Sequence, residues 1–154
     1  MRILNILLIG LFITGCATQK EDEVYTYELS HALKPYVFEY LKTLEENNIE
    51  YKKQSFIVVF DLDITRTDLL GQAKGMYNDN LVYVKINSKL WVTLTRKQKR
   101  HVIFHELSHD MFNIEHTEEI ELMKPSMSSP AESFKMNISK EIKTLIKYIK
   151  DGRK

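Results

Sequence analysis

The sequence predicts an α+β fold in one domain, a small mixed sheet packed on a long helix with further helices at its flanks. Three observations predict it. Apolar residues recur at helical spacing in three separate stretches. Two short runs of strand character lie between the first and the second of them. The chain has 154 residues, which suits one domain with a sizeable core of its own.

Taken in order, Val24 to Glu46 carries Leu29, Leu33, Val37, Leu41 and Leu44 on one helical stripe. Pro35 inside it predicts a kink or two shorter helices, because proline lacks the N–H that an inner turn needs. Asn47-Asn48 ends the stretch. Phe56 to Phe60 is apolar throughout and β-branched in the middle, which predicts a buried strand. Asp61 to Tyr77 reads as a long, partly irregular connection containing Gly71 and Gly75, and Asn78-Asp79-Asn80 as a turn. Leu81 to Ile86 alternates, with Val82, Val84 and Ile86 on one face and Leu81, Tyr83 and Lys85 on the other, so it predicts a half-buried strand. Asn87 to Val92 carries no clear signal. Thr95 is a good N-cap for a helix running to about Phe112. Glu115 to Ser129 reads as loop. Pro130-Ala131-Glu132 can open a last helix to about Lys150, with Phe134, Ile138, Ile142, Leu145 and Ile149 as its apolar stripe.

The charges nearly cancel, at 22 basic against 21 acidic residues. No basic excess points to nucleic acid as a partner. The single cysteine, Cys16, excludes an intramolecular disulfide.

The N-terminus predicts the compartment. Met1-Arg2 is followed by an almost wholly apolar run from Ile3 to Ile13. That run is too short for a stable membrane-spanning helix but fits a signal peptide. It ends in Ile13-Thr14-Gly15-Cys16, which resembles the bacterial lipobox. Residues 1–15 are therefore expected to be a removable lipoprotein signal, Cys16 the acylated (palmitate-type) anchor, and 16–23 a solvated tether. Lys20-Glu21-Asp22 also resembles the surface-export signal of some bacterial lipoproteins. The expected location is the cell envelope, lipid-anchored to a membrane, with 24–154 as the functional domain.

The second long helix carries His105-Glu106-Leu107-Ser108-His109. Helical residues four apart lie nearly above one another. Both imidazoles can therefore reach one metal ion, while Glu106 beside them can accept a proton from water without being a ligand. The opposite side is apolar, through Ile103, Phe104, Leu107 and Met111. A third ligand is expected past the helix end. His116 stands eleven residues after His105, and Asn113 between them tolerates the left-handed conformation that turns a chain off a helix. Met123 follows in Leu122-Met123-Lys124-Pro125.

Together these residues resemble the metzincin signature, HExxHxxGxxH followed by a methionine turn, over about Trp91 to Pro125. One departure stands out. The family's third histidine comes ten residues after the first, with glycine at the seventh position of the motif. Those places hold Glu115 and Phe112 here. Either Asn113 replaces the glycine in a turn one residue longer and His116 ligates, or Glu115 is the third ligand; imidazole is the more usual choice for such a site.

The resemblance implies a zincin-like fold and one zinc per chain on His105, His109 and His116. Glu106 would be the general base and acid, with Met123 in the methionine turn. It implies a monomeric metallopeptidase acting on a peptide or protein laid along an edge strand. Leu81 to Ile86, with Val82, Tyr83 and Val84, is the candidate strand. His101 shares the face of His105 and could line the cleft, though a place at the surface or the rim is the stronger expectation, since two helical ligands and one from a loop already complete the site. His31 is expected at the surface.

Two other readings compete. One is a non-catalytic surface-binding lipoprotein, a decayed peptidase. The other is a haloacid-dehalogenase-type phosphatase, because Asp61-Leu62-Asp63-Ile64-Thr65 after an apolar strand resembles DxDxT, with isoleucine where glycine is usual.

Overall fold

The computed structural model describes residues 25–62, 69–74, 80–125 and 137–152. The signal, Cys16 and the tether lie outside them, as do Asp63 and the Pro130–Phe134 start expected for the last helix.

Strand β1 (Tyr27–Leu29) opens the described chain and pairs in parallel with β2 (Ser55–Asp61). The helical stripe expected from Val24 therefore begins too early. Leu29 lies opposite Val58 in the sheet, because strand pairing satisfies its backbone as fully as a helix would. Helix α1 (Lys34–Glu46) carries Pro35 in its first turn, where it kinks nothing. The first N–H groups of a helix have no partner within it, so a missing one costs little there. Val37, Tyr40, Leu41 and Leu44 form its buried side. Asn48, at φ 54°, turns the chain away.

In β2, Phe56 and Val58 are buried while Ile57 and Val59 are only half covered. The apolar run thus has one core face and not two. Strand β3 (Gly71–Ala73) lies inside the connection read as irregular. Strand β4 (Leu81–Asn87) buries Val82, Val84 and Ile86, as its alternation predicts. The order in the sheet is β1-β2-β4-β3, with β3 alone antiparallel. Strand β4 is therefore interior, between β2 and β3. This corrects the expectation that Val82, Tyr83 and Val84 offer a free edge, since Lys74 already donates to the Tyr83 carbonyl at 2.6 Å. Among the described residues the edge on that side is β3.

The Asn87 side chain accepts from Lys89 and Leu90 to start the short helix α2 (Ser88–Trp91). Helix α3 (Arg96–Phe112) opens with a capping box between Thr95 and Gln98. It packs against α1, β3, β4 and the last helix, α4 (Ile138–Asp151). Ile103, Phe104 and Leu107 are fully buried, each worth roughly 1.5–3 kcal/mol of transfer from water. That apolar burial is what holds in the core a helix whose buried residues also include Gln98, His101, Glu106, Ser108 and Asp110. Tyr40 stacks edge-on against Phe104 at 4.9 Å between centroids and shares a 3.0 Å hydrogen bond with Ser108. Helix α4 presents Ile138, Ile142, Leu145, Ile146 and Ile149 inward. Among the described residues no helix is long and apolar enough to cross a membrane. The architecture is thus mixed α and β, with a small mixed sheet and helices.

Candidate metal centre

His105, His109 and His116 converge. His105 and His109 are brought side by side by the helical repeat of α3. His116 returns to them because Asn113 adopts a left-handed conformation, φ 52° and ψ 39°. The same turn carries Ile114 back so that its carbonyl meets His109 Nδ1. The Nε2 atoms of His109 and His116 lie 3.0 and 3.2 Å from that of His105, and one ring nitrogen from each of the three falls within a common 4.8 Å. Glu115 is exposed and stands outside this group.

The other ring nitrogens decide what the cluster suits. His105 Nδ1 meets the Leu122 carbonyl at 2.8 Å, and His109 Nδ1 meets that of Ile114. A carbonyl only accepts, so each Nδ1 carries the proton and donates it. The two Nε2 atoms are then bare lone pairs facing each other. Such an arrangement is relieved by a cation between them, and a backbone acceptor on the far nitrogen is the usual support of a metal-binding imidazole. Ligands of a tetrahedral zinc at ~2.0–2.1 Å stand about 3.3 Å apart, close to the separations here. The residues fit that ion. Burial pushes His105 down to about 3, with the neighbouring imidazoles adding to it and the Leu122 carbonyl opposing. Burial likewise lowers His109. Both rings are thereby held neutral, the form that binds a metal.

Leu122 belongs to a one-turn 3-10 helix (Glu121–Met123) in which Met123 is fully buried. The methionine-bearing turn is therefore tied to the histidine group by its backbone. Its Met123 carbonyl also accepts from Thr117 at 3.0 Å, which closes the loop carrying His116.

Glu106 is 8% exposed. Its Oε2 accepts the Ala73 N–H at 2.8 Å. Burial raises its pKa to about 7, against the lowering effect of that hydrogen bond. A carboxyl of that strength can both take and return a proton near neutral pH. Gly71 makes the approach possible, since a Cβ there would stand 2.8 Å from Glu106 Oε1 and 2.9 Å from its Cγ.

These groups line one cleft of ≈ 590 Å³, between β3 on one side and Lys124-Pro125 on another. Strand β3 and two backbone carbonyls were not legible beforehand. Strand β3 is only three residues long, with no alternation to mark it. The carbonyls of Ile114 and Leu122 carry no side-chain signal. His101, expected at the surface or rim or else in the lining of the cleft, is 4% exposed and forms part of the cleft wall. His31 is exposed as expected. Asp61 ends β2 and pairs with Lys85 at 2.9 Å, outside this cleft.

No protein-family model, curated protein or solved structure matches this chain.

Proposed function

We propose that this protein is a zinc-dependent peptidase of zincin-like, metzincin-related type, held at the bacterial cell envelope by lipid on Cys16. One observation carries the reading. Three imidazole lone pairs, two of them fixed by backbone carbonyls, meet beside a buried carboxyl whose pKa stands near 7, in one open cleft.

His105, His109 and His116 would hold the ion. Bound there, zinc supplies Lewis acidity toward a carbonyl and makes water more acidic. Glu106 accepts the proton of the attacking water. It then delivers that proton to the departing amine, and the Ala73 N–H keeps the carboxyl oriented meanwhile. Among the described residues β3 is the edge of the sheet and lines the cleft, so an extended peptide can add to it through the backbone groups that Glu106 does not engage. This takes over the role first expected of Val82, Tyr83 and Val84.

The first test is zinc per chain, by elemental mass spectrometry on the purified protein. We expect about one zinc, and none in His105→Ala or His109→Ala. A well-folded sample that takes up no zinc on reconstitution would overturn the reading. The lipid anchor is tested separately, by loss of membrane association in Cys16→Ala.

A further inference from the structure

The cleft continues past the three histidines. It runs along α3 toward the helix N-terminus, over His101 and Val102, with Leu70 and Pro125 among its other walls. His101 precedes His105 by one turn, about 6 Å along the axis. The two rings lie nearly parallel, 6.0 Å apart and inclined by 22°.

His101 differs from the histidines beside it. His105 and His109 each give Nδ1 to a backbone carbonyl. His101 Nδ1 is buried with no hydrogen-bond partner among the described residues. A leucine would fill the same space without leaving a polar atom unbonded, so the imidazole is costly while that nitrogen has no partner. That cost is recovered when a ligand brings the missing partner. A half-turn about Cβ–Cγ exchanges the places of Nδ1 and Cδ2, and so moves this nitrogen to the other edge of the ring.

An extended peptide advances roughly 3.3 Å per residue. With its carbonyl at the three histidines, the side chain next to that carbonyl reaches the space over His101. Leu70 and Val102 can cover the methylenes of that side chain. The only cation on the wall, among the described residues, is Lys124, and it is already neutralised by Glu121 at 2.9 Å and Glu118 at 3.5 Å. Among the described residues the wall therefore leaves no unpaired lysine or arginine to hold an acidic side chain.

We propose that His101 sets the specificity of this cleft, selecting a neutral hydrogen-bonding side chain, glutamine or asparagine above all, beside the cleaved bond. The inference rests on the peptidase reading. A neutral imidazole has one donor and one acceptor, the same pair that a carboxamide presents.

The test uses two peptide hydroxamates whose metal-binding end is the same and whose adjacent side chain is that of glutamine or leucine. Their dissociation constants are measured calorimetrically on the zinc-loaded full chain. The glutamine compound is expected to bind about tenfold tighter, a net gain of one good hydrogen bond. His101→Leu should abolish or reverse that ratio with zinc content unchanged, and His101→Gln should retain it in part. Equal or tighter binding of the leucine compound by the native chain overturns the proposal, whether or not any variant folds. If that happens in a chain that takes up zinc and cleaves peptides, this inference alone falls. If neither compound binds and no zinc is taken up, the peptidase reading falls with it.

Discussion

Glu106 and Asp110 stand one turn apart on α3 and make the same kind of bond. Both are buried, at 8% and 4% exposure. Both accept a backbone N–H from the sheet, Glu106 from Ala73 at 2.8 Å and Asp110 from Tyr83 at 3.2 Å. The difference lies in which strand donates. Tyr83 belongs to β4, inside the sheet, and Asp110 takes no part in the cleft wall. Ala73 belongs to β3, which has no strand beyond it among the described residues, and Glu106 faces the cleft. An interior strand makes a carboxylate a strap between helix and sheet. An edge strand secures one oxygen and leaves the other side of the carboxyl open to a reactant. Identical local chemistry thus yields a structural group in one place and a candidate proton carrier in the other.

Neutralising each carboxyl sharpens the contrast most. Glu106→Gln should keep its zinc and lose peptide cleavage by ~10²–10⁴-fold, the usual worth of a positioned general base. Asp110→Asn should stay within a few-fold of the native rate. Retained cleavage in Glu106→Gln, measured on a peptide library, would break the comparison.

The second effect is on stability of the zinc-free chain. The Glu106 pKa rises from 4.5 to about 7 on folding. Below pH 4.5 both states hold the proton and nothing is lost. Between 4.5 and 7 only the unfolded state releases it, so stability falls as pH rises through that window. Above 7 the full cost is present, about 3 kcal/mol at ~1.4 kcal/mol per unit. Glu106→Gln should therefore be more stable than the native chain at pH 8 and level with it at pH 4, in denaturant titrations run side by side. The difference between the two proteins isolates this group. The buried histidines act with the opposite sign in both, since stability held by neutral His105 and His101 is lost as pH falls from 6.5 toward about 3 and 4.

Next comes Asp110→Ala, which leaves the Tyr83 N–H without its acceptor. It should destabilise the fold by roughly 1–3 kcal/mol, read as a lower Tm. An unchanged Tm would mean that Asp110 is not a strap. The smallest effect tests the edge strand. In Gly71→Ala the new Cβ meets Glu106 Oε1 at 2.8 Å, so the carboxyl must shift. The expectation is a fall in kcat of about tenfold, within the range that a misplaced catalytic group costs, with zinc content intact.

The sequence by itself determined the local devices. Thr95 marked the start of α3, the alternation of Leu81 to Ile86 marked a strand with one core face, and Asn113 marked the turn that follows the helix. Each is an interaction between residues a few positions apart, so spacing alone reveals it. The pairing of His105 with His109 was legible for the same reason, and His116 became a candidate through its distance from them along the chain. Only the tertiary structure decided what lies between distant segments. It set β4 inside the sheet and the three residues of β3 at its edge. It drew Leu29 into a strand through its place opposite Val58, and it buried His101. It also supplied the backbone partners of Glu106, Asp110, His105 and His109. Backbone N–H and C=O groups are the same in every residue. Their use by a distant side chain therefore leaves no trace in the letters of the sequence, and it is these groups that orient the site.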